Sequence, residues 1–280
     1  MKLSIILRMG LAALGADVGM NTSVITHFAT AAEKAPRNEP IVKPFTNSLG
    51  MPLMPLPGTK VLFCIWETRV QDYQAFAADT GRKLQNPGFA QGPTHPAVNV
   101  SWEDAQAFCK WLTGKEQQAG VISEQQSYRL PTDAEWSQAV GLENETGSTP
   151  EEKNLKIKGV YPWGTEWPPP KGTGNFADET LKKKSSTSTI IPGYDDGYAF
   201  TAPVGSFKAN KYGLYDLAGN VWEWCEDWYD GEQKYRVLRG GAWGNGDQFS
   251  LLSSHRVSGT PGQRFSGGVA GWRVAVSLGE

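Results

Sequence analysis

Three helix-start signals, all between Thr68 and Glu135, define the regular part of this chain. In each, an N-cap hydroxyl stands three residues before a polar partner, so that two orphan backbone donors can be satisfied together: Thr68 with Gln71, Ser101 with Asp104, and Thr132 with Glu135. Behind Ser101, the residues Trp102, Ala105, Phe108, Cys109 and Leu112 recur at helical spacing and make one apolar stripe, which turns Cys109 toward a core. Beyond Val140 the regularity stops. Gly141 to Lys158 is polar and charged, Leu181 to Thr189 joins a lysine run to a Ser/Thr run, and both read as surface insertions. With 32 glycines and 18 prolines in 280 residues, above the usual ~7% and ~5%, the chain should form short elements joined by long ordered loops.

Ahead of the helices, Leu53-Met54-Pro55-Leu56, the Pro57-Gly58 turn and Val61 to Trp66 predict a hairpin, and Tyr235 to Leu238 and Trp272 to Val276 read as short strands. The polar stretch Glu33 to Lys43, with Pro36 and Pro40, is a linker. It divides the chain into a leader and linker over 1–43 and a single domain over 44–280. Within the leader, Lys2, the apolar runs Leu3 to Leu7 and Met9 to Ala16, and Ala29-Thr30-Ala31 as a small-residue cleavage pattern suit an export signal to the periplasm or the outside. Arg8 and Asp17 interrupt that pattern and suit an unstructured leader equally. Both readings fall short of the roughly 20 apolar residues a membrane helix needs, so no membrane span is expected.

A net charge of -2 offers no field to attract a phosphate backbone, so nucleic acid is not an expected partner. Cys64, Cys109 and Cys225 are odd in number and widely spaced, which suits buried free thiols better than a disulfide framework or a zinc knuckle.

Six phrases then occur in order: Asn99 to Ala105 (NVSWEDA), Arg129 to Trp136 (RLPTDAEW), Tyr161-Pro162-Trp163-Gly164, Tyr212 to Trp224 (YGLYDLAGNVWEW), Arg239-Gly240-Gly241-Ala242-Trp243, and Gly271-Trp272-Arg273-Val274. The series resembles the formylglycine-generating enzyme, or sulfatase-modifying factor, family throughout about 44–280. The resemblance implies an α+β fold with little regular secondary structure, distantly related to C-type lectins, and structural calcium.

Calcium takes about six to eight oxygens from carboxylates and loop carbonyls. The segment Asp216 to Glu223 has a carboxylate at each end and a glycine that permits a sharp turn, a composition that ordinary turns also favour. The resemblance assigns ligands there to the side chains of Asp216 and Glu223 and the carbonyls of Gly219 and Val221. It assigns a second set to Asn175, the Phe176 carbonyl, Asp196 and the Tyr198 carbonyl. Glu226 reads as a solvated neighbour, and Trp222 and Trp224 as braces of the loop.

In the oxidising relatives two cysteines near the Gly-Gly-Ser-aromatic phrase bind copper, a soft ion that suits thiolates. The matching positions here are Asn245 and Ser250, the active-site serine is Ala242, and no cysteine follows Cys225. Copper is therefore not expected. A branch with histidine-bound iron fits poorly, since the chain has only His27, His95 and His255. Ser253-Ser254-His255 reads as a polar turn. What remains is a non-oxidising, calcium-stabilised binding or accessory module, with a groove near Trp222, Ala242, Asn245, Ser250 and Arg273 for a peptide, protein or other extended ligand. The alternative is a divergent formylglycine-generating oxidase or other oxygen-dependent enzyme of the same family.

Overall fold

The computed structural model describes residues 43–186 and 189–279. Apart from Lys43, the expected leader and linker, with His27, lie outside the described residues. In chain order the elements are β1 (Phe45–Thr46), β2 (Pro52–Pro55), β3 (Val61–Cys64), α1 (Val70–Thr80), α2 (Trp102–Gln118), β4 (Ser127–Arg129) and α3 (Asp133–Val140). Then follow α4 (Pro150–Lys153), α5 (Glu179–Lys184), β5 (Trp222–Trp228), β6 (Arg236–Arg239), β7 (Val257–Gly259), β8 (Ala270–Gly271) and β9 (Ala275–Ser277). The fold is α+β, and long stretches of loop separate the elements, as the glycine and proline content requires.

Two sheets carry the structure. The first runs β1-β2-β3-β9-β4, antiparallel throughout, and contains the expected hairpin, with Leu53 opposite Cys64 and Pro55 opposite Leu62. Its second strand ends at Cys64 and not at Trp66. The carboxy-terminal β9 enters between β3 and β4, so Val276 pairs with both Leu62 and Tyr128. The second sheet runs β7-β6-β5-β8, and its β5–β8 pair is parallel. The stretch Trp272 to Val276, expected as one strand, is split: only Ala275–Ser277 is a strand, while the backbone of Trp272 and Val274 accepts bonds from Thr68 and Cys64.

Both helix starts at Ser101 and Thr132 form as read: each hydroxyl accepts from the amide three residues on, and the Asp104 and Glu135 carboxylates return the bond. The first start is displaced by one residue. Thr68 N–H donates to Trp272 O and Thr68 O accepts from Ala97, which fixes Thr68 in extended pairing. Arg69 becomes the cap position, and Asp72 accepts from its backbone N–H and from its guanidinium. Of the α2 stripe, Ala105, Phe108, Cys109 and Leu112 are buried and Trp102 is half-buried. Phe108 packs edge-on against Phe76 of α1 and against Trp272, at 5.6 and 5.3 Å between centroids. Burying side chains of this size contributes about 1.5–3 kcal/mol each.

A buried ion network ties α3 to the second sheet. Asp133 accepts from Arg239 and, at 2.9 Å through two nitrogens, from Arg256, which also reaches Glu145 at 2.6 Å. Two cations and two anions balance there, which satisfies the rule that buried charge be paired. The segment from Leu181 is not wholly a surface insertion: Asp178 caps α5 and Leu181 is 2% exposed, anchored in the core. No helix among the described residues is long and apolar enough to cross a membrane.

Candidate functional site

The segment Asp216 to Glu223 turns sharply because three of its residues have left-handed backbone: Asp216 at φ 57°, Gly219 at 74° and Asn220 at 58°. Gly219 is required twice over. A Cβ there would stand 2.0 Å from the Asn175 carbonyl oxygen, and one on Gly174 would stand 2.4 Å from that of Ala218. The two loops read as separate cation sites are thus in backbone contact: Asn175 pairs with Gly219, and Asn220 N–H donates to Asn175 O at 2.9 Å.

Asn220 is the joint between them. Its side-chain oxygen accepts from Ala202 N–H and from the Asn175 amide, and its nitrogen donates to Glu67 at 3.1 Å. Glu67 was missed by sequence reasoning. It is fully buried, and burial, reinforced by Asp216 and Glu223, pushes its carboxyl well above the ordinary range. Asp216 is pushed up to about 6, chiefly by burial. One oxygen of Asp216 accepts from Gly205 N–H at 2.6 Å, while the other, like one oxygen of Glu67, is buried without a hydrogen-bond partner.

Glu223 has a different environment. It accepts from Arg273 through both oxygens and from the Trp136 indole at 3.1 Å. Arg273 is 0% exposed and donates also to the carbonyls of Cys64 and Tyr215. The sequence reading of Arg273 as a groove residue is therefore corrected: every polar contact of this side chain is spent inside the core. Glu226 is also not freely solvated, since it is half-buried and accepts from Gln106.

In the second loop, the side-chain oxygen of Asn175 is buried without a partner, its nitrogen being committed to Phe200 O at 2.7 Å and to Asn220. Asp196 accepts from Phe176 N–H and Tyr198 N–H, both at 2.9 Å, yet burial and the neighbouring Asp178 push it up to about 7. Phe176 is 0% exposed, and Tyr198 stands edge-on to Phe207. Among the described residues no group of three or more His, Cys, Asp or Glu side chains gathers in the manner of a metal cluster. A hard cation held by few side-chain oxygens and several backbone carbonyls has a different donor set, and each loop has one unpartnered buried oxygen that fits it, on Asp216 in the first and on Asn175 in the second.

The positions matching the copper cysteines are closed into local turns. Asn245 accepts from Ala242 N–H through its side chain and donates its own N–H to Ala242 O, each at 2.9 Å. Ser250 donates its hydroxyl to Asp247 at 2.6 Å. Ala242 is 1% exposed, and Trp222 is 8% exposed with its edge toward His255, at 5.4 Å between ring centroids. Half-exposed aromatic rings border this region: Phe89 and Phe200 stack at 4.6 Å, and Trp243 stands edge-on to both. Phe249, next to Ser250, is 63% exposed. Phe89 and Phe200 escaped the sequence reading, although an aromatic after Asn86-Pro87-Gly88 in a polar loop is a usable signal.

The three thiols are core groups: Cys64 and Cys109 lie in the main cluster and Cys225 in a second one that includes Trp136 and Ala139 of α3, all free and buried. Burial pushes Cys64 up to about 12 and the other two up as well. His95 bonds to Thr201 at 3.0 Å in a loop.

Comparison with known proteins agrees with this geometry. Residues 33–278 match the family described as the sulfatase-modifying factor enzyme 1-like domain. The chain is 38% identical over 142 residues to the formylglycine-generating enzyme of Thermomonospora curvata, a match covering 50% of this chain and 36% of that one. It is 36% identical over 152 residues to the bovine (Bos taurus) inactive C-alpha-formylglycine-generating enzyme 2, covering 53% and 38%. The matched stretch thus spans under two fifths of either relative. Among solved structures, PvdO from Pseudomonas aeruginosa superposes with a TM-score of 0.55 at 25% identity, covering 78% of this chain and 80% of that one. A family match that takes in the glycine-dictated double turn and every sheet and helix of the described residues means that this chain belongs to the sulfatase-modifying factor enzyme 1-like domain family.

Proposed function

We propose that this chain is a non-oxidising member of its family, a calcium-stabilised binding or accessory module for a peptide or other extended ligand. The observation that carries the reading is the replacement of the copper thiolates by Asn245 and Ser250, each tied into its own turn. An amide and a hydroxyl cannot serve a soft Cu(I) ion, and the three thiols present are buried in the core, where burial raises their pKa values. That a bovine relative is named as inactive supports the same direction. The half-exposed rings of Phe89, Phe200 and Trp243, with the exposed Phe249, supply the apolar surface on which an extended ligand would lie.

Calcium would be held by Asp216 with the Gly219 and Val221 carbonyls, and by Asn175 and Asp196 with the Phe176 and Tyr198 carbonyls. Bound there, it supplies positive charge to carboxyls that burial otherwise forces toward protonation. Glu223 contributes to the first site only through lone pairs left over from Arg273 and Trp136.

The test is incubation of the purified chain with a sulfatase-type cysteine peptide, copper and a reductant, read by mass spectrometry. The cysteine should remain unmodified. Conversion to formylglycine that depends on both this protein and copper would replace this reading with that of a divergent oxidase.

A further inference from the structure

A cavity of about 490 Å³ opens between the loop 161–164 and the turn 208–211. It shares no lining residue with the region around Trp222, Ala242, Asn245 and Ser250; part of its wall, at Asp216, Leu217 and Ala218, belongs to the first candidate cation loop. Its volume is within the range that holds small ligands.

Its walls are specific in chemistry. One side is aromatic: Tyr161 and Trp163 stack in parallel, 4.8 Å apart with planes 4° from parallel, and Trp163 also leans on Phe176 at 5.4 Å. The indole N–H of Trp163 is spent on Glu166 O at 2.9 Å, so this side chain lines the cavity with ring carbon and not with a donor. Val140, Leu214 and Leu217 add aliphatic surface.

The polar side chains of the lining sort into spent and free. Asn210 donates to Ala139 O and accepts from the amides of Tyr212 and Leu214, and Thr173 donates to Pro170 O. Asp216 is 6% exposed and turned to Gly205. Lys208 and Lys211 are different: both are exposed, and neither forms an ion pair among the described residues. Lys211 holds its ammonium 4.9 Å from the Tyr212 ring centroid, beside Gly141. A chain with a net charge of -2 thus presents two free cations at the edge of an aromatic-walled cavity whose single acid is buried.

We propose that this cavity binds a small molecule with a flat apolar body and one anionic group, the body against Trp163 and the anion at Lys208 and Lys211. Ring faces and aliphatic walls reward a planar apolar body, and free lysines reward charge without demanding the forked geometry that arginine imposes. Carboxylate and phosphate share that chemistry.

The experiment is calorimetric titration of the full chain with indole-3-acetate and with phenyl phosphate, beside the neutral isostere indole-3-acetamide. At least one anion should bind saturably and about tenfold or more tighter than the amide, a difference of about 1.4 kcal/mol. The preferred anion identifies the headgroup. The double variant Lys208→Gln/Lys211→Gln should melt like the parent, lose the preference for the anion, and bind the amide as before. Ala209→Phe, which plugs the cavity, should abolish binding of all three. Absence of saturable binding by either anion, binding of both anions no tighter than the amide, or an unchanged anion preference in the lysine variant would each overturn the proposal. These readouts involve neither copper nor calcium, so they stand or fall apart from the proposed non-oxidising role.

Discussion

Arg273 and Glu223 face each other as a forked pair, the Nε of the arginine 2.7 Å from one carboxylate oxygen and its Nη2 on the other, with both side chains out of water. Deleting one member of such a pair strands the other's charge, at a cost of about 3–5 kcal/mol. Glu223→Ala should therefore lower the denaturation midpoint far more than Glu226→Ala, whose carboxylate is half-buried and accepts from Gln106. Equal midpoints would contradict the pairing.

Asp133 gives a pH signature. Burial acts to raise its pKa, but Arg239 and Arg256 outweigh that and hold it below the ordinary carboxylate value. A group depressed on folding contributes stability that is complete above its unfolded pKa of ~3.9 and is lost as pH falls through the lower folded value. Asp133→Asn should be less stable at neutral pH and should show a shallower acid loss below pH ~4. Urea midpoints measured from pH 2 to 7 decide it.

Calcium removal should lower the melting temperature, since an ion bound only to the native state at a hundredfold excess over Kd contributes about 2.7 kcal/mol. Asp196→Ala should weaken the response to chelator, while Asp195→Ala, a change at an exposed side chain bonded to Thr180, should leave it intact. A melt indifferent to chelator in calcium-loaded protein would refute the assignment.

Gly219→Ala should abolish or severely impair folding, because the new Cβ meets the Asn175 carbonyl at 2.0 Å in a backbone already left-handed. Gly213→Ala has the same backbone sign, φ 77°, and open space around it, so only the strain of about 1–2 kcal/mol applies. Expression yield and thermal melts of the two variants separate clash from strain.

The thiols should be inert. With Cys64, Cys109 and Cys225 buried and their pKa values raised, a water-soluble disulfide reagent should label none of them in native protein over minutes, and all three in urea. Rapid labelling of the native chain would show that one reaches the surface.

Local chemistry was legible wherever the cause was local. The starts at Ser101 and Thr132, the apolar stripe of α2 and the hairpin of β2 and β3 depend on residues within a few positions of one another, and all formed. The start expected at Thr68 moved to Arg69 because Thr68 is held by Ala97 and Trp272, partners about 30 and 200 residues away that no local rule sees. Glu67 was missed and Arg273 misplaced for the same reason. A carboxylate before a helix and an arginine after a tryptophan look like surface groups until Asp216, Glu223 and Tyr215 are brought around them. The six ordered phrases, by contrast, pointed to the family whose fold the chain adopts.

The contact of Asn175 with Gly219 makes the two candidate cation loops one mechanical object. Neither can reshape its backbone without dragging the Asn220 amide, and through it Ala202 and Glu67. An ion entering one loop would spend part of its energy straightening the other, so the second ion would meet a loop already set. Occupancy should then rise more steeply with calcium concentration than independent binding permits, and a lesion confined to Asp196 should be felt as weaker uptake at Asp216.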